Sequence, residues 1–270
     1  MKNIDFKKYK RLFAFGCSFT CYIMPTWADL IYKSCNDDIQ FFNCGKSGGG
    51  NLFIAHRITE ANRKYNFNED DLIIVMWSTF ARLDFYRESC WITPGNILSQ
   101  SMLSKEVVKE LFDLNWFLMR DLSVIDLSTT YLKSLNVDYL NFMSVPMNFD
   151  HIEKRQEINK GDLTTQIIET YKCLNDEFPT PLYTFLGDRF SDKIKYYHEH
   201  HKEIFIDYHP TIDDYRKYLQ YCGVPLTQKA IDYANSSQQF LLQDNLNRLD
   251  IVKNFKDIDS RCAESYRILW

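Results

Sequence analysis

Four short runs dense in apolar, β-branched and aromatic residues constrain this chain more than any other feature. They are Arg11–Phe15, Ile39–Asn43, Leu72–Trp77 and Val137–Val145, each bounded by turn residues. Near-continuous apolar character suits strands covered on both faces rather than strands with one wet side. A fifth strand is expected at either Leu182–Leu186 or Glu203–Ile206. Helical patterns fall between the runs, at Asn51–Tyr65, Ser104–Leu122, Thr164–Phe178 and Thr211–Cys222. The second is the most regular, with Val107, Val108, Leu111, Leu114, Leu118 and Leu122 recurring at helical spacing. Thr211 and Asp214 have the spacing of a capping box, so a helix should start directly after His209-Pro210. Strands alternating with helices predict an α/β fold. The expected form is a three-layer α/β/α sandwich around a parallel sheet of about five strands.

The 270 residues are 45% hydrophobic and 16% aromatic, enough for a sizeable core. With no internal repeat and no linker longer than Pro179–Pro181, the expectation is a single domain over 1–270. A helical C-terminal elaboration begins at about residue 225. The 32 basic and 36 acidic side chains leave a formal net charge of -4. No overall field therefore draws the chain to nucleic acid or to an anionic membrane, and neither is expected as a partner. No stretch has the length of a membrane-spanning helix. The basic segment Lys7–Arg11 precedes Leu12–Met24, but Gly16, Ser18 and Thr20 interrupt that apolar stretch and no small-residue cleavage site follows. The eight cysteines, at 17, 21, 35, 44, 90, 173, 222 and 262, lack the paired spacing of zinc sites. They are read as reduced thiols in a cytoplasmic protein.

Three segments carry candidate chemistry. Phe15-Gly16-Cys17-Ser18-Phe19-Thr20 closes the first apolar run with a serine on a glycine-licensed turn. Asn43-Cys44-Gly45-Lys46-Ser47-Gly48-Gly49-Gly50-Asn51 follows the second run. Asp207-Tyr208-His209-Pro210 precedes the capped helix. A serine hydroxyl is a poor nucleophile until a base takes its proton, and that base needs a third group to hold its tautomer. Ser18, His209 and Asp207 are of the types required. Residues i and i+2 share a side only in extended backbone, so Asp207 can reach His209 if the loop is extended there. An ordinary turn hydroxyl, a turn histidine and a loop-capping carboxylate are the plain alternatives. The glycines can offer backbone N–H groups near a helix start, where the dipole favours negative charge. Gly45-Lys46-Ser47 is not a P-loop, because position 40, where that motif needs glycine, is Gln. His198, His200 and His201, beside Glu199 and Glu203, read as a solvated charged helix, and no metal site is assigned.

These segments resemble the blocks of the SGNH/GDSL hydrolases. Residues 15–20 are similar to the block carrying the family's serine, with Cys17 where an Asp often stands. Residues 43–51 are similar to the second block, whose glycine lends an N–H to the oxyanion hole. The sequence Asp207-Tyr208-His209-Pro210 resembles the last block in the D-x-H-P form of bacteriophage-type and bacterial members. The resemblance implies a flavodoxin-like SGNH hydrolase fold, catalytic Ser18, Asp207 and His209, an N–H donor at Gly48, and no cofactor. The third block departs from the pattern. Its Asn, which completes the family's oxyanion hole, is missing, and Leu72–Trp77 runs instead into Ser78-Thr79-Phe80-Ala81-Arg82. Loss of such a donor costs about 2–4 kcal/mol of transition-state stabilisation. Asn51, Thr79, Ser78 and Arg82, in that order, are the expected substitutes.

The implied activity is ester hydrolysis through an acyl-serine, with a small ester or acylated glycan as substrate and carbohydrate deacetylation as the favoured case. The alternative is a glycan-binding or scaffold protein that keeps the fold after its oxyanion hole has decayed. A metal-assisted hydrolase using the histidines at 198–201 would differ from both in its sensitivity to chelators.

Overall fold

In a computed structural model of the protein, residues 4–97, 103–146, 162–187, 209–243, 246 and 248–256 are described. Four strands form a parallel sheet: β1 (Arg11–Gly16), β2 (Gln40–Asn43), β3 (Asp71–Trp77) and β6 (Asp138–Met143), in the order β2-β1-β3-β6. Two short strands, β4 (Phe85–Arg87) and β5 (Cys90–Ile92), make a separate antiparallel hairpin. The expected fifth strand is absent among the described residues. Leu182–Leu186 is a short helix, because Pro181 occupies its N-cap and Gly187 closes it at a φ of 49°. The other candidate, Glu203–Ile206, lies outside the described residues.

The helices are α1 (Trp27–Ser34), α2 (Asn51–Tyr65), α3 (Lys105–Leu111), α4 (Leu114–Ser134), α5 (Asp162–Thr170), α6 (Leu182–Leu186), α7 (Ile212–Tyr221), α8 (Gln228–Leu241) and α9 (Arg248–Asn254). The stretch expected as one helix at Ser104–Leu122 is two. Asp113 accepts a hydrogen bond from the Trp116 N–H at 2.8 Å and so starts a new helix, which runs on to Ser134. Local capping overrode the continuous apolar stripe. Thr211 and Asp214 do form the capping box at the head of α7.

Alternate residues of each strand enter opposite layers, as a two-sided sheet requires. Leu12, Ala14, Leu72, Ile74, Met76 and Phe142 meet α1, α7 and α8 through Trp27, Leu30, Tyr215, Leu219 and Ala234. Phe13, Phe15, Ile73, Val75 and Trp77 meet α2 and α4 through Phe53, Ile54, Ile58, Leu118, Leu122 and Ile125. The result is an α/β/α sandwich. Ile251 and Phe255 of the C-terminal helical segment belong to the first of these two clusters.

At the head of the central pair, Arg11 lies opposite Asp71. Its Nε and Nη2 donate to the two carboxylate oxygens at 2.5 and 2.7 Å, and Asp71 is fully buried. That fork fixes the register in which both strands run toward the site. Asp71→Ala should lower the urea midpoint at constant m by the equivalent of about 3 kcal/mol, because it removes the buried counter-charge of the guanidinium and leaves it only the Tyr65 and Asn66 carbonyls.

Candidate active site

The strand order reverses between β1 and β3. β1 is joined through α1 to β2 on one side, and β2 through α2 to β3 on the other. The carboxyl ends flanking such a reversal open a crevice, the usual ligand position in parallel α/β sheets. Ser18 follows β1 and Ser78-Thr79 follow β3, so both predicted segments sit at that crevice.

After Gly16 the chain makes a single tight turn. The Cys17 carbonyl accepts from the Thr20 and Cys21 N–H groups at 2.9 and 3.1 Å, which leaves Ser18 and Phe19 on the turn. Ser18 is only 5% exposed. A Cβ on Gly16 would stand 2.0 Å from Thr20 Oγ1 and 2.9 Å from the Met76 carbonyl oxygen, so the turn closes only over a glycine. The glycine loop is then locked onto it. Asn43 Nδ2 donates to the Thr20 carbonyl at 2.9 Å, while Asn43 Oδ1 accepts from the Gly45 N–H at 3.1 Å. The Lys46 N–H donates to the Gly16 carbonyl at 3.1 Å.

Gly48 has a φ of 76° and lies against the hairpin segment, where an added Cβ would approach the Thr93 carbonyl oxygen to 2.4 Å. Thr93 Oγ1 donates to the Ser47 carbonyl, and Arg82 Nη1 to the Gly49 carbonyl at 2.8 Å. Asp84 accepts from the Gly50 and Phe53 N–H groups at 2.8 and 3.0 Å and so caps α2 from outside that helix.

Asn51 is completely buried. Its Nδ2 donates to the Ser78 carbonyl at 3.2 Å and to Asp121 Oδ2 at 3.1 Å, and its Oδ1 accepts from the Ser78 N–H at 2.8 Å. Both side-chain N–H donors are therefore engaged inside the fold. Ser78 is fully buried as well, and Thr79, next in the chain, is 9% exposed.

His209, on the loop before α7, stacks on Tyr22 with ring centroids 4.0 Å apart and planes 14° from parallel. Phe19 meets it edge-on at 5.2 Å. The imidazole thus rests on residues of the Ser18 turn and its continuation. Asp207 lies outside the described residues, as do His198, His200 and His201. The structure accordingly gathers Ser18, Gly48, Asn51, Ser78, Thr79, Arg82 and His209 around the β1 and β3 ends.

Cys21 is disulfide-bonded, while Cys17, Cys35, Cys44, Cys90, Cys173 and Cys222 are in no disulfide. The expectation of eight reduced thiols fails at Cys21. Spacing along the chain carries no information on which sulfurs meet in space. Among the described residues no helix is long and apolar enough to cross a membrane.

Sequence reasoning missed the groups behind the site. Asp121 sits on α4 and is fully buried, with Arg120 Nε and Nη2 on its Oδ1 at 2.7 and 2.6 Å. The one signal in the sequence was a charged residue within the apolar stripe of Leu118, Leu122 and Ile125. Burial pushes the Asp121 carboxyl up to about 7; Arg120 and Asn51 pull it down and Asp84 adds to the rise. Burial likewise raises Asp84, against its two N–H donors, Arg82 and Arg120.

No family model matches the sequence, and no curated protein matches it either. Among solved structures the fold is similar to a member of the lipolytic protein G-D-S-L family from Veillonella parvula DSM 2008. The match has 14% identity and a TM-score of 0.40, and covers 76% of this chain and 92% of that one.

A carboxyl raised by folding is protonated in the folded state while the unfolded chain has already ionised. Stability should therefore be highest below about pH 4 as far as Asp121 is concerned, and fall as the pH rises to about 7. Urea midpoints measured between those values should decline by the equivalent of a few kcal/mol, since each tenfold difference in proton affinity is worth about 1.4 kcal/mol. Asp121→Asn should flatten that decline.

Proposed function

We propose that the protein is a serine hydrolase of the SGNH type, cleaving a short acyl ester through an acyl-serine. One observation carries the reading. Ser18 stands on a glycine-dependent turn at the strand-order reversal, with the His209 ring seated on Phe19 and Tyr22 from that same stretch of chain.

In this reading Ser18 Oγ attacks the acyl carbon as His209 takes its proton. The oxyanion forms against the N–H groups of Ser18 and Gly48. Among the described residues neither of these donates a backbone hydrogen bond, in contrast to Lys46 and Gly49. Collapse expels the alcohol, which receives the proton from His209. Water activated by the same imidazole then releases the acid. Asp207 is assigned the orienting role on the far imidazole nitrogen, as the resemblance implies.

The third oxyanion donor is assigned to Thr79, because the Asn51 amide has no N–H left to give and the Ser78 side chain is sealed in the fold. Arg82 donates through Nη1 to the Gly49 carbonyl and is assigned to holding the loop. The alcohol is read as a carbohydrate. Tyr22, against His209, and Tyr183, against Phe19, are each half-buried, and such rings suit the apolar face of a sugar.

Reaction with a fluorophosphonate probe tests the assignment. The protein should label at a single site and hydrolyse a short acetyl ester, and Ser18→Ala should do neither while keeping the parent circular dichroism. His209→Ala should lose nearly all turnover, and Asp207→Ala less. A Ser18→Ala protein as active as the parent would rule out the serine mechanism, and loss of activity with EDTA would point instead to the histidines at 198–201. A folded protein that neither labels nor turns over would leave the glycan-binding alternative.

Thr79→Val removes one hydroxyl at constant volume. It should lower kcat roughly ten- to a hundredfold with KM little changed, as expected for a donor that acts on the transition state. Unchanged kcat in steady-state assays would remove Thr79 from the oxyanion hole.

A further inference from the structure

The side chains behind the crevice form a closed ring. Asn51 clamps both polar groups of the Ser78 peptide unit and donates to Asp121. Asp121 accepts from Arg120, and Arg120 Nη2 donates to the Arg82 carbonyl at 2.7 Å. Arg82 reaches back to the Gly49 carbonyl, two residues before Asn51. Asp84 closes the interior by holding the Gly50 and Phe53 N–H groups. The ring joins three elements: the glycine loop with the head of α2, the segment after β3, and α4. Two of these carry two of the three donors assigned to the oxyanion, Gly48 and Thr79.

Apolar packing already unites the same elements, through Phe53, Ile54, Leu118, Leu122 and Ile125. Burial of those side chains is non-directional and does not fix where a peptide N–H points. Hydrogen bonds do. An ionisable network in a core is also costly relative to apolar residues of the same volume, so adhesion alone does not account for it. Asp121 is the joint of the ring, because among the described residues it alone accepts from the side chains of both Asn51 and Arg120.

We infer that Asp121 is a positioning residue, which fixes the Ser78–Arg82 and Gly48–Asn51 segments in one relative geometry from behind. It touches neither substrate nor reacting atoms. The inference rests on the hydrolase reading for what that geometry serves, but the geometry itself is testable without any activity.

The experiment is amide hydrogen exchange by mass spectrometry on the full-length chain, with Asp121→Asn and Asp121→Ala variants, alongside steady-state kinetics on a short acetyl ester. Peptides covering 47–53 and 76–83 should exchange at least tenfold faster in Asp121→Ala and by a smaller factor in Asp121→Asn, which keeps one acceptor oxygen. Peptides covering 11–21 should not change. In the same variants kcat should fall tenfold or more with KM within twofold, while Ser18 still takes the fluorophosphonate. Unchanged exchange in the two segments would overturn the inference, as would acceleration spread equally over 11–21. So would failure of both variants to fold, which would make Asp121 a determinant of the fold. A parent protein that neither labels nor turns over would sink the hydrolase reading, and the exchange pattern would still decide whether Asp121 holds the two segments.

Discussion

β1 pairs with β2 on one side and β3 on the other, so the loops proposed to carry the chemistry are all referenced to where that one strand stops. It stops at Gly16 because only a residue without a Cβ lets the chain turn beneath Thr20 and the Met76 carbonyl. Ser18 takes its position from that turn. Gly45 takes its position from the same turn through Asn43, and the end of β3 is tied in through its register with β1. A shift of β1 by one residue would exchange its two buried faces and displace all three loops together.

The two central strands were legible because they are buried on both sides. Leu12–Phe15 and Leu72–Trp77 announce themselves as unbroken apolar runs, and the structure bounds them as Arg11–Gly16 and Asp71–Trp77. Where the expectation failed, a short-range polar contact had displaced a long-range pattern. Asp113 split the helical stripe by capping the Trp116 N–H, and Pro181 with Gly187 turned an apolar pentapeptide into a helix. The β4–β5 hairpin was invisible because Phe85–Arg87 and Cys90–Ile92 are too short for periodicity to register.

For the candidate site, the approximate places of the segments were readable, since Ser18, the glycine loop and the β3 end all follow predicted strands. What could not be read was the partnership of each side chain. Asn51 has the chemistry of an oxyanion donor, yet Ser78 and Asp121, distant in sequence, use its whole amide. The positions of Tyr22 and Phe19 around His209 were equally hidden, because they depend on how α7 docks and on nothing in their own neighbourhood.

The docking of α7 has a kinetic side. The Ser18 turn, the Asn43 clamp and the glycine loop form from segments near one another in sequence, whereas the His209 ring arrives only when the C-terminal third settles against α1 through Ile212, Tyr215 and Leu219. Contacts of such long sequence separation close late, because the loop entropy must be overcome before they form. A chain still emerging from synthesis therefore builds its serine turn first and stays without an imidazole beside it until α7 is in place.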